Sequence, residues 1–428
     1  MDEKESLFKR SLSRRDLLKG AGAIGAMATA TSIAKIPGLS MSDKAYAITE
    51  TDMMPVEIAN DYQRMDQKLT VFGRAGWDPE IMQVMPVVMG KRLGHIPYSG
   101  EPGFTEEDFA LSTAAWSLEE DAGGQAVALG VPNMGLYSWE GHINPKKKIF
   151  DSLGQASEKV KRAAGFLGAD LVGIAPYDER WVYSNSYNPL TLESEPIKLP
   201  FQPKSVIVMA VEMDYDAYRT SPSLISDAGT ATGYGDMITT AHKVAVFCRT
   251  LGYNAIPCGN DTAISIPMAI QAGLGEISRM GLLITPKYGP RVRLCKVFTD
   301  LPLIPDKPIT FGVTDFCKVC LKCADNCPSE AISKDSEPSF KTVSISNNPG
   351  VKKWAVKQEN CFKYWGENVS CSVCISCCPY NKIDEWHHDM AKLATHTPAK
   401  PLLRYFDELF GFGKSFDTAY SAKWWSKK

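Results

Sequence analysis

Neither sign of charge predominates in this 428-residue chain, whose 47 Lys and Arg against 49 Asp and Glu leave a formal net charge of −2. Outside the amino-terminal stretch and a lysine-rich tail no basic run exceeds the three residues Lys146-Lys147-Lys148, so a nucleic-acid surface is not expected. The phosphate-cradling glycine motifs are missing too: no G-x-G-x-x-G lies between a strand and a helix, and there is no G-x4-G-K-[ST]. Gly229-Thr-Ala-Thr-Gly-Tyr-Gly235 is glycine-rich but matches neither, which disfavours a nucleotide or nicotinamide enzyme. Beyond residue 47 no apolar segment is long enough to cross a bilayer. At a membrane, something else must hold such a chain.

Cysteine is what the chain has, twelve in all, most of them crowded into two runs. The first is Cys317-Lys-Val-Cys320-Leu-Lys-Cys323-Ala-Asp-Asn-Cys327-Pro328. Its spacing, C-x2-C-x2-C-x3-C-P, holds [4Fe–4S] clusters in bacterial ferredoxins. Three thiolates wrap one cubane, while the fourth, set by the proline, points to a second cluster. The expected partner run is Cys371-Ser-Val-Cys374-Ile-Ser-Cys377-Cys378-Pro379. Read back from Pro379, Cys378 is the proline-flanked ligand; Asn368 stands where the first cysteine belongs, and Cys361 substitutes from a longer loop. The crossed-ligand rule then gives one cluster Cys317, Cys320, Cys323 and Cys378, and the other Cys361, Cys371, Cys374 and Cys327. Cys377 remains an alternative to Cys378 or Cys374. Zinc prefers two separated C-x2-C pairs, and cysteines two apart on a tight loop rarely form disulfides.

Ser13-Arg14-Arg15-Asp16-Leu17-Leu18-Lys19 reads as a twin-arginine export motif, followed by an uncharged Ala- and Gly-rich stretch from Gly20 to Ile33. That stretch is too short and too weakly apolar to span a bilayer. Ala45-Tyr46-Ala47 is a small-x-small cleavage site, so the mature chain is expected to begin at Ile48. This route exports folded proteins, which suits clusters inserted in a reducing cytoplasm.

Residues 48–150 are rich in aromatics and prolines, including Trp77, Trp116 and Trp139, and read as a region wrapping a core. From there the pattern is α/β. A helix over Ser157–Leu167 precedes a strand at Leu171–Ala175; Ser205–Val211 reads as a buried central strand; a second helix spans Asp236–Leu251. Strands at Tyr253–Ile256, Leu282–Ile284 and Val292–Phe298 follow, with a short helix near Ile266–Ala272. Strands alternating with helices imply a layered domain. Two clusters form an electron wire, so the larger domain is expected to hold a different, sizeable cofactor to reduce.

The whole layout resembles the respiratory reductive dehalogenases, corrinoid- and iron–sulfur-dependent enzymes that remove halide from organohalides. The resemblance rests on Arg14-Arg15, Gly168-Ala-Asp-Leu-Val-Gly-Ile-Ala175, Tyr288-Gly-Pro-Arg-Val-Arg-Leu294, Phe298-Thr-Asp-Leu-Pro302 and the two cysteine runs. It implies a nitroreductase-like corrinoid-binding domain, residues 151–310, then a ferredoxin-like domain with two [4Fe–4S] clusters, 311–385, and an extension, 386–428. It implies a corrinoid bound base-off, since no D-x-H-x-x-G motif occurs. It further implies an organohalide substrate, a small hydrophobic membrane-anchor protein, electrons from the quinol pool, and a place on the outer face of the cytoplasmic membrane.

The same resemblance puts a catalytic tyrosine at Tyr234, with Asn260 and Arg293 as partners, and Thr230 beside the tyrosine or the corrinoid. Replacing halogen by hydrogen takes two electrons and a proton, and a phenol supplies that proton well only if a cation stabilises its phenolate. Arg291 competes with Arg293, because residues flanking one strand position share a face. Cys258 and Cys295 read as small buried hydrophobes, His242 as a satisfied helical histidine, and Trp386-His387-His388 as solvated surface. Trp77, Tyr364 and Trp365 are candidate substrate-pocket walls. Two other readings stand beside this one: an epoxyqueuosine reductase, which the leader and the lack of a basic face oppose, and a non-catalytic iron–sulfur carrier, which would not need so large an α/β domain.

Overall fold

A computed structural model describes residues 48–84, 99–128, 130–368, 370–383, 395, 400–404, 407, 413, 416 and 418–426. The export motif, the cleavage site and Trp386-His387-His388 lie outside the described residues.

In chain order the elements that position the site are α1 (Glu106–Ala128), α2 (Leu153–Phe166), β1 (Leu171–Pro176), β2 (Ser205–Glu212), α3 (Leu224–Thr250), β3 (Ala255–Cys258), α4 (Ser265–Gln271) and β4 (Val292–Thr299). The cysteine region adds α5 (Val313–Cys320), α6 (Lys322–Asp325), α7 (Gln358–Glu367) and α8 (Val373–Ser376).

The four strands form one sheet in the order β1-β2-β4-β3, antiparallel throughout. Val206 to Val211 are all buried because β2 lies inside the sheet and is covered on both faces. Alternation along the strands sends Ile207, Met209, Cys295 and Val297 to one face, against Val160 and Ala164 of α2 and Ile238, Ala241 and Val244 of α3. Val206, Val208, Ala210, Ile256 and Phe298 take the other face, against Met268, Ala269 and Ile270 of α4. This is a mixed helix-and-strand architecture of the expected class.

Four expectations shift. The helix expected from Asp236 begins twelve residues earlier, at Leu224, and absorbs the glycine-rich stretch. The strand expected at Tyr253–Ile256 lies at Ala255–Cys258, and Leu283–Ile284 pairs with Glu276–Ile277 outside the main sheet. Within 48–150, which carried no regular reading, α1 runs as a long helix packed on α3.

Candidate active site and cysteine centres

The early start of α3 has a local cause. Ser223 Oγ accepts the Ser226 N–H at 3.1 Å and Ser226 Oγ accepts the Ser223 N–H at 3.2 Å, a reciprocal cap that satisfies the first turn. The glycines inside the helix serve close packing. A Cβ on Gly229 would lie 3.0 Å from Ala217 Cβ, and one on Gly233 would lie 2.9 Å from Met213 Cγ and 3.1 Å from Arg293 Cγ. Backbone and neighbours meet so closely here that Tyr234, the next residue, is delivered against Arg293.

Three elements converge on the Tyr234 hydroxyl. Asn260 Nδ2, on the loop after β3, donates to Tyr234 Oη at 3.1 Å; Arg293 Nη1, on β4, donates to it at 3.3 Å. The guanidinium carbon of Arg293 also lies 4.3 Å from the centroid of the Tyr234 ring. An oxygen accepting from an amide and a guanidinium is prepared to carry negative charge. Burial opposes the charge on Arg293, but the phenols of Tyr234 and Tyr218 outweigh it and hold its pKa above the ordinary value. Asn260 is exposed and Tyr234 part-buried, so a small molecule can reach the hydroxyl.

Thr230 lies one helical turn before Tyr234, and its Oγ1 is 2.8 Å from Tyr218 Oη. Tyr218 is fully buried and packs with Met213 and Ile375, against which Cys374 also rests. Burial pushes the Tyr218 phenol up, with Arg293 acting against the shift. The second cysteine run thereby touches the underside of the tyrosine site.

Sequence reasoning missed the supports. Asp227 of α3 accepts from Ser112 Oγ at 2.7 Å and Trp116 Nε1 at 2.8 Å, fixing α1, and the Trp116 ring meets Tyr234 at 5.5 Å. The Asn260 loop is held by Lys296, whose Nζ donates to the carbonyl of Gly259 and to Ser265 Oγ at 3.1 Å. Asp261 braces the same loop, accepting from Gly259 N–H at 2.6 Å and Thr262 Oγ1 at 2.6 Å. Burial pushes the Asp261 carboxyl up while Lys296 pulls it down.

Other candidates have separate positions. Arg291 precedes β4 and does not share the surroundings of Arg293: it donates to Glu212 Oε1 at 2.5 Å and Asn381 Oδ1 at 3.1 Å, tying the sheet to the cysteine region. His242 Nδ1 pairs with the Leu136 carbonyl at 3.1 Å. Cys295 is buried and pushed up to about 12 by burial, no nucleophile, and Cys258 is buried likewise and also pushed well up by burial. Trp77 donates to the Lys68 carbonyl at 3.0 Å, and Trp365, a near neighbour of Tyr364, stacks on Phe362.

The first four assigned cysteines converge. Cys317 and Cys320 lie on α5, and Leu321, at φ +55°, breaks the helix so that Cys323 on α6 turns back toward them. These three and Cys378 line one small cavity with Arg279, Phe316 and Tyr380. Cys377 is absent from that lining; its Sγ lies 3.9 Å from the Lys322 carbonyl oxygen and 3.7 Å from that of Cys374. Cys327, Cys361, Cys371 and Cys374 form the second group: burial pushes Cys371 up to about 11, with Cys327 adding to it, and Cys374 is raised by burial and by Cys371, Cys361 and Cys327 among others. Cys361 is exposed, so this group opens to solvent. All twelve cysteines are free thiols. Among the described residues no three ligand side chains meet at one point as a single ion requires. A cubane instead takes one thiolate per iron, and two cysteine tetrads fit it.

Between the sheet and the cysteine region lies a large apolar cavity, lined by Met54, Val56, Tyr183, Ile264, Val351 and Trp354 among others. Asn348 on its wall has a buried side-chain oxygen with no hydrogen-bond partner. Apolar walls with an unused amide acceptor suit a large, flat cofactor edged with amides.

This arrangement is that of an iron–sulfur oxidoreductase. Residues 316–381 match the 4Fe-4S double cluster binding domain family. The tetrachloroethene reductive dehalogenase of Desulfitobacterium hafniense is 36% identical over 94% of this chain and 94% of its own length. That of Sulfurospirillum multivorans is 30% identical over 96% of this chain and 92% of its own. The chain belongs to the reductive dehalogenase family. A solved reductive dehalogenase, described as suggesting a mechanism for B12-dependent dehalogenation, is 25% identical with a TM-score of 0.67 over 86% of this chain; the chain spans about half, 49%, of that protein's length. The family resemblance and the two-cluster reading made from the sequence are both borne out.

Proposed function

We propose that this chain replaces a halogen of a small organohalide by hydrogen, with Tyr234 as proton donor and electrons passed through both cysteine centres to a corrinoid. The observation that carries the tyrosine assignment is the convergence of Asn260 and Arg293 on one phenol oxygen. The reaction consumes two electrons and a proton and releases halide. Tyr234 Oη holds the proton; Arg293 stabilises the phenolate left behind; Asn260 orients the hydroxyl and can donate to substrate or halide. Trp116 fixes the ring, and Thr230 with Tyr218 closes the floor. When bound, a corrinoid supplies a cobalt centre able to break a carbon–halogen bond, and the cavity walled by Tyr183, Ile264 and Trp354, with the free Asn348 oxygen, would hold it. Cys317, Cys320, Cys323 and Cys378 would hold one cluster, and Cys361, Cys371, Cys374 and Cys327 the other. The more exposed second group suits electron entry.

In this reading the enzyme works as a terminal reductase of organohalide respiration, exported by the twin-arginine route and held at the membrane by a small hydrophobic partner that passes electrons from quinol. Arg14-Arg15 support export, and no helix among the described residues is long and apolar enough to cross a membrane. The test is halide release by cluster- and corrinoid-loaded protein with a low-potential donor, across chlorinated ethenes, ethanes and phenols. The relatives named for tetrachloroethene put chlorinated ethenes first. No halide from any member of the panel would refute the proposal.

A further inference from the structure

The first cysteine group faces a buried charge that, among the described residues, has no carboxylate within ion-pair distance. Arg279 is 1% exposed, one of the largest fully buried side chains. Its Nε and Nη2 donate to the Cys317 carbonyl at 3.1 and 2.9 Å, and its Nη1 donates to the carbonyls of Ser333 and Asp335, each at 2.7 Å. The guanidinium carbon lies 4.6 Å from the centroid of the Trp354 ring. Among the described residues no carboxylate forms an ion pair with it.

A guanidinium stays protonated when buried, so Arg279 is a fixed positive charge, and a buried charge is costly unless an opposite one faces it. Apart from the Asp335 carboxylate, which acts on it more weakly than the cysteines do, the opposite charge on offer is a cluster. Arg279 lines the same cavity as Cys317, Cys320, Cys323 and Cys378, and a cubane with four thiolates is an anion. We propose that Arg279 is the built-in counter-ion of the first cluster and raises its reduction potential, offsetting the lowering that burial imposes. The proposal rests on the ligand assignment above.

The physical step is simple. One electron from an external low-potential donor reduces the cluster; no bond breaks and no proton moves, and the cluster gains one negative charge. A fixed cation in a low-dielectric surround favours that more negative state. At the second group Cys361 reaches solvent, and the buried Arg74 nearby is already paired with Asp78 and Glu359. Trp354 also lines the large apolar cavity, so the cation stands one indole ring from the place where the corrinoid is proposed to receive the electron. A potential raised there makes the first cluster easier to fill from the second.

The experiment is an electron-paramagnetic-resonance redox titration of the cluster-loaded full chain, with iron per chain measured alongside. Arg279→Gln should move one of two midpoints to lower potential and leave the other in place; Arg279→Lys, which keeps the charge but loses the three-carbonyl fork, should keep both near the parent values. Unchanged midpoints in R279Q with both clusters retained overturn the proposal, as does an equal shift in R279K and R279Q, which marks a purely structural role. If R279Q fails to retain the first cluster, R279K decides alone: an unmoved midpoint supports the counter-ion, and a lowered one overturns it. Fewer than two clusters in the parent protein would instead sink the ligand assignment itself, a separate result from any Arg279 shift.

Discussion

The cysteine centres and the tyrosine site are built in opposite ways. The first centre takes three of its four cysteines from one turn of chain, α5 into α6, where the sequence spacing already is the geometry. The tyrosine site takes one side chain each from α3, the loop after β3, and β4, with Asn260 and Arg293 standing 26 and 59 residues from Tyr234. A ligand run is a local object that tolerates little; an assembled site depends on every element that brings its parts together. The difference predicts that damage to the first is all-or-none and damage to the second is graded.

The sharpest test of that contrast is Cys374→Ala. It should remove the second cluster, lower iron per chain by about half, and abolish halide release with reduced donor, because the wire is cut. Retained turnover with the iron halved would break the comparison, since electrons would then need only one centre. Next in size is Tyr234→Phe, which deletes a single oxygen. Iron and corrinoid content should stay at parent levels while kcat falls by about 10²–10⁴-fold, the range for loss of a positioned acid. A parent-like kcat would remove Tyr234 from the reaction.

A graded loss is expected one step outward. Asn260→Ala removes one of two donors to the Tyr234 hydroxyl and leaves the other. Losing one hydrogen bond to a charge-bearing group costs about 1.5–3 kcal/mol, about 10- to 100-fold in kcat/KM. Trp116→Leu should fall within the same range or below it, acting only through the placement of the ring. If either variant loses activity as completely as Cys374→Ala, the site is not graded and the contrast fails.

Legibility in the sequence followed the same division. The two-cluster module could be read from spacing, and β1 and β2 from apolar runs, because one strand or one turn carries most of the signal. The start of α3 could not: Gly229, Gly233 and Gly235 weaken a helix by propensity, and only their close approaches to Ala217, Met213 and Leu118 explain their presence. Trp116 was visible only as one aromatic among several, since its tie to Asp227 spans 111 residues. Lys296, fully buried in β4, looks in sequence like a solvent-facing residue of an alternating strand; its carbonyl partners exist only after the Asn260 loop has folded over it.

The smallest expected effect tests the seam between the two regions. Lys353 lines the large cavity, donates to the Asn348 carbonyl, and is lowered by burial to a pKa of about 8 from 10.5. A base whose folded pKa is depressed resists protonation in the native state. The unfolded chain therefore binds the extra proton between pH 8 and 10.5, and stability rises with pH across that window. Below pH 8 the cost of the buried charge is present in full. Lys353→Met should thus be more stable than the parent at pH 7, by about 1 kcal/mol once the partial exposure of the side chain is discounted. That advantage should shrink as pH climbs from 8 toward 10.5 in urea unfolding followed by circular dichroism. An advantage that does not change with pH would mean that the lysine is already solvated, and that the cavity wall between the sheet and the cysteine centres is wetter than its apolar lining implies.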